Sequence, residues 1–346
     1  MRRRWWIALL AGGVAVLLGI GVTAFVLVVQ ARQASRPEAI VAHYLTLVER
    51  GRIQDAMRME GRVVAKKEVL LTDAVYARAK EKLSGFRILG VDRVDANRVR
   101  VDAETRAGSH TERAAFTLQR HGWTLGELVG VTAWQLRPAP LGRVHVQVGA
   151  PEAVPVTVAG EDLRDPLAPH DFAAFPGRYT VAATVDTPWF TIPAGEAVVP
   201  GFDTRGSATP SAELTEKGRA AALAAADSWV QTCLRGGPQP QGCSFGLEAG
   251  APEGEQWTDP RWTLVASPAL TVSAWSFNCD GSAEVWGCWP VATASAGSAE
   301  FSAGYSKPAT GESGTITMTE PVEVNVEGAI TGFSDAGATF TSIHWK

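Results

Sequence analysis

RVRVDAETRA, residues 98–107, places Val99, Val101, Ala103, Thr105 and Ala107 at every second position, with Arg98, Arg100, Asp102, Glu104 and Arg106 between them. Successive side chains of a strand point to opposite faces, so this alternation reads as a strand with one buried and one solvated side. Working outward, FRILGVDRV (86–94), TERAAFTLQR (111–120) and WTLGELVGVTAWQL (123–136) show the same texture, separated by polar or glycine turns. Four such runs joined by short turns define an antiparallel sheet.

Residues N-terminal to the sheet follow a helical period. Pro37 suits a first helical turn, Ile40, Val41, Tyr44, Leu45 and Val48 recur at helical spacing, and Gly51 is placed to end the helix. A short helix is expected over Ile53–Met59 and a longer one over Val64–Leu83. Helices first and an antiparallel sheet second is an α+β order, and α+β is the fold class expected here.

PEAIVAHYLTLVERGRIQDAMRM (37–59), followed by FRILGVDRV and by strands that include HGWTLGELVG (121–130), resembles the NTF2-like superfamily. In that superfamily helices cover a curved sheet as a cone. The resemblance rests on element order and helix texture over about 100 residues, with no sharp motif, so no functional residue carries over from it.

Four segments are expected. Residues 1–36 form a cytoplasmic tip, a transmembrane helix and a linker; 37–136 form the NTF2-like domain; 137–206 form an Ig-like β-sandwich spacer; 207–346 form a disulfide-stapled second NTF2-like domain. The spacer reading rests on VHVQV, VPVTVAG and FPGRYTVAATV, short Val- and Thr-rich runs punctuated by proline. Phe175-Pro176-Gly177-Arg178-Tyr179-Thr180-Val181 resembles a hairpin of bacterial surface Ig-like modules. The last segment opens with GSATPSAE as a linker. A helix carrying Leu223, Ala226, Trp229, Val230 and Cys233 on one face follows, and then a series of strands.

Trp5–Val29 holds 25 residues without a charge and follows Arg2, Arg3 and Arg4. A bilayer core needs about 20 apolar residues in a helix. A cleaved signal peptide is the rival reading, but its apolar core runs to roughly 7–15 residues and ends in small residues. Here Arg32 and Gln33 interrupt that pattern, and an uncleaved anchor is preferred. Basic residues favour the cytoplasmic side, so the N-terminus is expected inside and the bulk of the chain outside a cell membrane crossed once. An anchor, an NTF2-like unit, a β-spacer and a terminal NTF2-like unit together resemble envelope proteins related to the teicoplanin-resistance-associated membrane protein. That family carries an N-terminal zinc ribbon, which MRRRWW does not supply.

Composition sets further bounds. With 46% hydrophobic and 20% charged residues the chain reads as globular. Residues 1–36 carry five Arg and no acid, 37–136 carry 16 basic and 13 acidic residues, 137–210 carry 5 and 8, and 211–346 carry 6 and 15. A distal net charge of −9 argues against a nucleic-acid partner, because neutralising phosphates takes clustered Lys and Arg. The expected partners are the membrane and a cell-wall or envelope protein.

Cys233, Cys243, Cys279 and Cys288 all lie in the last segment. In an oxidising space an even number of cysteines points to disulfides, and local pairing, Cys233–Cys243 and Cys279–Cys288, is expected. Spacings of ten and nine residues do not match zinc-ligand pairs, so no metal is expected. The six histidines form no pair at ligand spacing, and no HExxH, P-loop, GxGxxG or G-x-S-x-G context occurs. No cofactor and no catalytic residue are assigned. The expected function is non-enzymatic: a single-pass envelope protein presenting a binding or assembly ectodomain. The alternative is an extracytoplasmic enzyme or small-molecule binder using an NTF2-like cone, with His43 or Asp102 as its base.

Seven of the twelve tryptophans fall in the distal segment. Trp229 and Trp275 sit on regular patterns and read as core. Trp257 and Trp262, in EGEQWTDPRWTL, read as an open loop and are the candidate ligand-binding residues.

Overall fold

The computed structural model describes residues 29–30, 33–65, 67–120, 122, 133–163, 165, 168–279 and 287–342. Helix α1 spans Pro37–Glu49, with Pro at its first turn and Val41, Tyr44, Leu45 and Val48 buried on one face. It ends in a Schellman turn: Arg52 N–H donates to Leu47 O at 2.8 Å and Gly51 N–H to Val48 O at 2.9 Å. Gly51 sits at φ 74°, a conformation that glycine adopts without a Cβ penalty. Helices α2 (Ile53–Met59) and α3 (Asp73–Arg78) follow.

The helix expected over Val64–Leu83 is corrected to α3 alone. Leu70 and Leu71 are buried, and the Glu68 carboxylate accepts from Ala173 N–H at 2.7 Å, more than a hundred residues along the chain. That tertiary bond ties down a segment of turns, in which Glu68 N–H donates to Ala65 O and Leu71 N–H to Glu68 O, and Thr72 then starts α3 by capping Val75 N–H at 3.2 Å.

Strands β1 (Leu83–Arg93), β2 (Arg98–Ala107), β3 (His110–Arg120) and β4 (Trp134–Leu136) form an antiparallel sheet in sequence order. Val99, Val101, Ala103 and Thr105 of β2 are buried beneath the helices, as the alternation requires. The centre of this unit is filled by rings. Tyr44 lies 5.8 Å from Phe116, and Phe202, from the next unit, lies 5.3 Å from Phe116.

The middle unit contains β5 (Gly142–Val146), β6 (Val156–Val158), β7 (Glu161–Asp162), β8 (His170–Ala174), β9 (Gly177–Ala183), β10 (Phe190–Thr191), β11 (Gly195–Val199), β12 (Arg205–Ala208) and β13 (Glu213–Leu214). It has one sheet ordered β11-β9-β6-β7 and another ordered β12-β5-β8, with β12 parallel to β5. FPGRYTV does not form the expected hairpin, because β8 and β9 belong to different sheets.

In the distal unit α4 (Glu216–Leu234) is followed by β14 (Gln256–Ala266), β15 (Ala269–Val272), β16 (Trp289–Ser295), β17 (Gly297–Lys307), β18 (Glu312–Thr317), β19 (Val322–Val324), β20 (Glu327–Ser334) and β21 (Gly337–Ser342). One sheet runs β14-β17-β18, with β19 also on β17; the other runs β15-β16-β20-β21 and carries α4.

The expected fold class is therefore corrected. Strand accounts for 45% of the described residues and helix for 17%, so the described part of the protein is β-dominated and not an α+β pair of NTF2-like domains. Among the described residues of the distal unit a single helix accompanies two sheets, because the sequence after Cys233 keeps returning to period two. The expected transmembrane helix, Trp5–Val29, falls almost wholly outside the described residues. Among the described residues no helix is long and apolar enough to cross a membrane.

Candidate functional site

One buried apolar cluster runs through all three units, from Val41 to Ile330. At the first junction the buried Tyr76 hydroxyl donates to Pro176 O at 2.9 Å and accepts from Leu83 N–H at 3.0 Å. Burial raises its pKa, which keeps the donor protonated. Glu60, its side chain fully buried, pairs with Arg62 and accepts from Ala139 N–H at 2.6 Å. Burial also holds the Tyr44 phenol well above its ordinary value, with the Glu60 charge adding to the effect. At the second junction Trp189 stacks on Phe333 at 5.5 Å and Lys217 lies 4.5 Å above the Trp189 ring. GSATPSAE, expected as a linker, contains the last three residues of β12 and the buried Ala208 and Ala212.

This continuity fixes how the distal unit is held. Its disulfides are Cys233–Cys243, with Cα atoms 5.8 Å apart, and Cys279–Cys288, with Cα atoms 6.0 Å apart. Cys233 lies in the last turn of α4, so the first bond folds the loop 235–242 back over the β14-β17-β18 sheet. Phe245, just beyond the loop, packs edge-on to Trp262 at 5.2 Å, and the Trp262 indole donates to Gly237 O at 2.8 Å.

Trp257 and Trp262 both lie on β14, where an open loop was expected, and the structure separates them. Trp262 is 5% exposed and packs 5.3 Å from Phe301 beneath the stapled loop. Trp257 is half-buried, 5.2 Å from the Phe301 ring, and its indole donates to Glu255 at 3.0 Å. A bulge between Thr258 and Arg261 shifts the register, so Trp257 pairs with Tyr305 and Trp262 with Phe301. Paired residues of adjacent strands share a face. Trp257, Tyr305 and Gly314 therefore form one row across β14, β17 and β18.

Beyond the covered part of the sheet this row forms a half-exposed aromatic strip with charged ends. Lys307 Nζ is 3.0 Å from a Glu312 oxygen and 5.5 Å from the Tyr305 ring centroid, and the Tyr305 hydroxyl donates to Glu312 at 3.4 Å. The Lys307 hydrogen bond lowers the Glu312 pKa, and Glu312 raises that of Lys307. Chemically the strip offers ring faces, two carboxylates and one ammonium: a stacking surface for a ligand, without a nucleophile–base pair.

Sequence reasoning missed Tyr305, Lys307 and Glu312. The signal was present in AEFSAGYSK, whose alternation puts Phe301 and Tyr305 on one face, but Trp257 could be matched to Tyr305 only with the bulge known.

The candidate bases of the proximal unit are not brought together. His43 is exposed on α1, and Asp102 lies on the solvated side of β2, bonded to Arg100 at 2.8 Å. Asp102 does line a groove of about 660 Å³ with Asp92, Arg100, Arg113, Phe202 and Asp203. Among the described residues no three His, Cys, Asp or Glu side chains are grouped to hold a metal ion. No known protein family, curated protein or solved structure matches this chain. The fold and site define a class only: a β-rich, disulfide-stapled chain of three fused units with an aromatic strip on the last.

Proposed function

We propose that the chain is a non-enzymatic envelope protein that presents the distal aromatic strip to a partner outside the cytoplasm. The observation that carries this reading is Trp257 paired with Tyr305, both half-exposed and flanked by Glu255 and Glu312. Aromatic side chains with a polar edge are the residues that most often anchor recognition. Two disulfides support an oxidising compartment, and the uncharged run Trp5–Val29 supports attachment at a membrane. A role as an enzyme or small-molecule binder through the proximal unit is less well supported, because Tyr44, Phe116 and Phe202 fill its centre and Glu60 is committed to Ala139.

A photo-crosslinking residue at position 305 in intact cells tests this. A discrete adduct is expected from 305 and none from position 98, on the outer side of β2. Equal adducts from both positions, or none from 305, overturn the reading.

A further inference from the structure

The unguarded feature next to the strip is β18. Its residues Glu312–Thr317 pair on one side with Ser302–Lys307 of β17, and among the described residues no strand pairs with its outer edge. Edge strands are normally protected by Lys, Pro, a bulge or a covering loop. ESGTIT has no Lys and no Pro, its pairing has no register break, and all its residues but Ile316 are exposed.

Gly314 gives this edge a shape. Tyr305 is its partner in the row, and a Cβ on Gly314 would come within 2.8 Å of the Tyr305 ring. The ring therefore leans across β18 toward the open edge, over the one position that offers no side chain. A residue added opposite Gly314 on a new strand would extend over that glycine and meet the ring. Its neighbour two positions along would face Glu312, and the neighbour on the other side would face Ile316, because β17-facing and edge-facing rows share the same alternation.

Charge selects the occupant. Lys307 over Tyr305 already shows that this ring face accepts an ammonium beside a carboxylate. Glu312 holds that ammonium at 3.0 Å while Glu255 accepts only the neutral Trp257 indole, and residues 211–346 carry 15 acidic and 6 basic residues. Taking the proposed binding role as its premise, we infer that β18 receives an extended basic peptide segment as an added strand. Two Lys or Arg residues at alternate positions lie against Glu312 and over Gly314 toward Tyr305, followed by an apolar residue beside Ile316. Main-chain hydrogen bonds to the edge supply affinity, and the alternate side chains supply choice.

The probe is the blocked peptide TKTRTVT together with its reversed sequence, titrated into the full chain in detergent and read by amide hydrogen exchange. At least one direction is expected to bind saturably, to slow exchange specifically over residues 312–317, and to weaken as salt rises. Glu312→Lys, an exposed change, is expected to weaken binding at least tenfold, and a peptide with Glu in place of Lys and Arg should not bind. Failure of both directions, or equal binding of the Glu peptide, overturns the inference. Protection of 312–317 that grows with protein concentration and without peptide assigns the edge to a second copy, which also overturns it. An adduct at position 305 in cells alongside peptide failure rejects this partner class and leaves the binding reading standing.

Discussion

The indole nitrogen of Trp289 donates to the carbonyl oxygen of Ala212 at 3.1 Å, so the largest fully buried side chain of the distal unit is tied to the segment that enters it, between β12 and β13. The same ring contacts Phe190 of the middle unit at 5.7 Å and Trp275 at 4.7 Å. Replacing Trp289 with Phe keeps an aromatic ring and removes the donor, leaving a buried carbonyl unpaired. A loss of about 1–3 kcal/mol is expected, read as a lower denaturant midpoint with one transition retained. A second, separate transition would show that the units unfold independently.

Gly218 tests the junction from the other side. A Cβ there would fall well inside contact distance of Trp189 O, and that oxygen also accepts from Thr215 N–H at 3.0 Å. Gly218→Ala should cost about 1–3 kcal/mol through overpacking and should admit protease between residues 206 and 213. Unchanged protease resistance would mean that the backbone relaxes without opening the junction.

How much of this was legible follows the physics of each element. β2 and β3 could be read because their two faces differ in polarity along the whole strand. The end of α1 could be read because Gly51 is needed for the left-handed turn. The segment before α3 could not, since Glu68 bonds to Ala173, a contact that no local pattern encodes. The linker reading of GSATPSAE failed for a related reason. Small and polar residues there pack into a junction where larger side chains would not fit, and composition alone cannot distinguish the two cases. In the site, Trp257 and Trp262 look alike in sequence; the cover provided by the stapled loop separates them.

The stapled loop gives a third prediction. Converting Cys233 and Cys243 together to Ser should cost roughly 2–3 kcal/mol in the chain-entropy model. Released from the bond, the loop should uncover Trp262 and shift its emission to the red. Thiol labelling in the untreated protein checks the premise: free thiols at these positions would contradict it.

A pH dependence is expected at the first junction. The hydrogen bond from Arg178, with its charge and that of Lys80, holds the Glu196 pKa below its ordinary value. A carboxylate lowered in the folded state stabilises it above the unfolded pKa, and that contribution is lost as pH falls through the folded one. The stability difference between wild type and Glu196→Gln should therefore be present at neutral pH and vanish on acidification below the ordinary glutamate range. Denaturant midpoints at several pH values measure it. Glu196 is solvent-exposed and Arg178 half-buried, so added salt should shrink the difference.

The central claim is that recognition resides on Trp257 and not in the core that Trp262 fills. The deciding measurement is the yield of the position-305 photo-adduct in intact cells for Trp257→Ala, taken beside the melting temperature of the purified chain. The account predicts a large loss of adduct with nearly unchanged melting, while Trp262→Ala, at about 3–5 kcal/mol for a buried Trp, lowers melting first. A Trp257→Ala chain that keeps full adduct yield, or that loses as much melting temperature as Trp262→Ala, would contradict it.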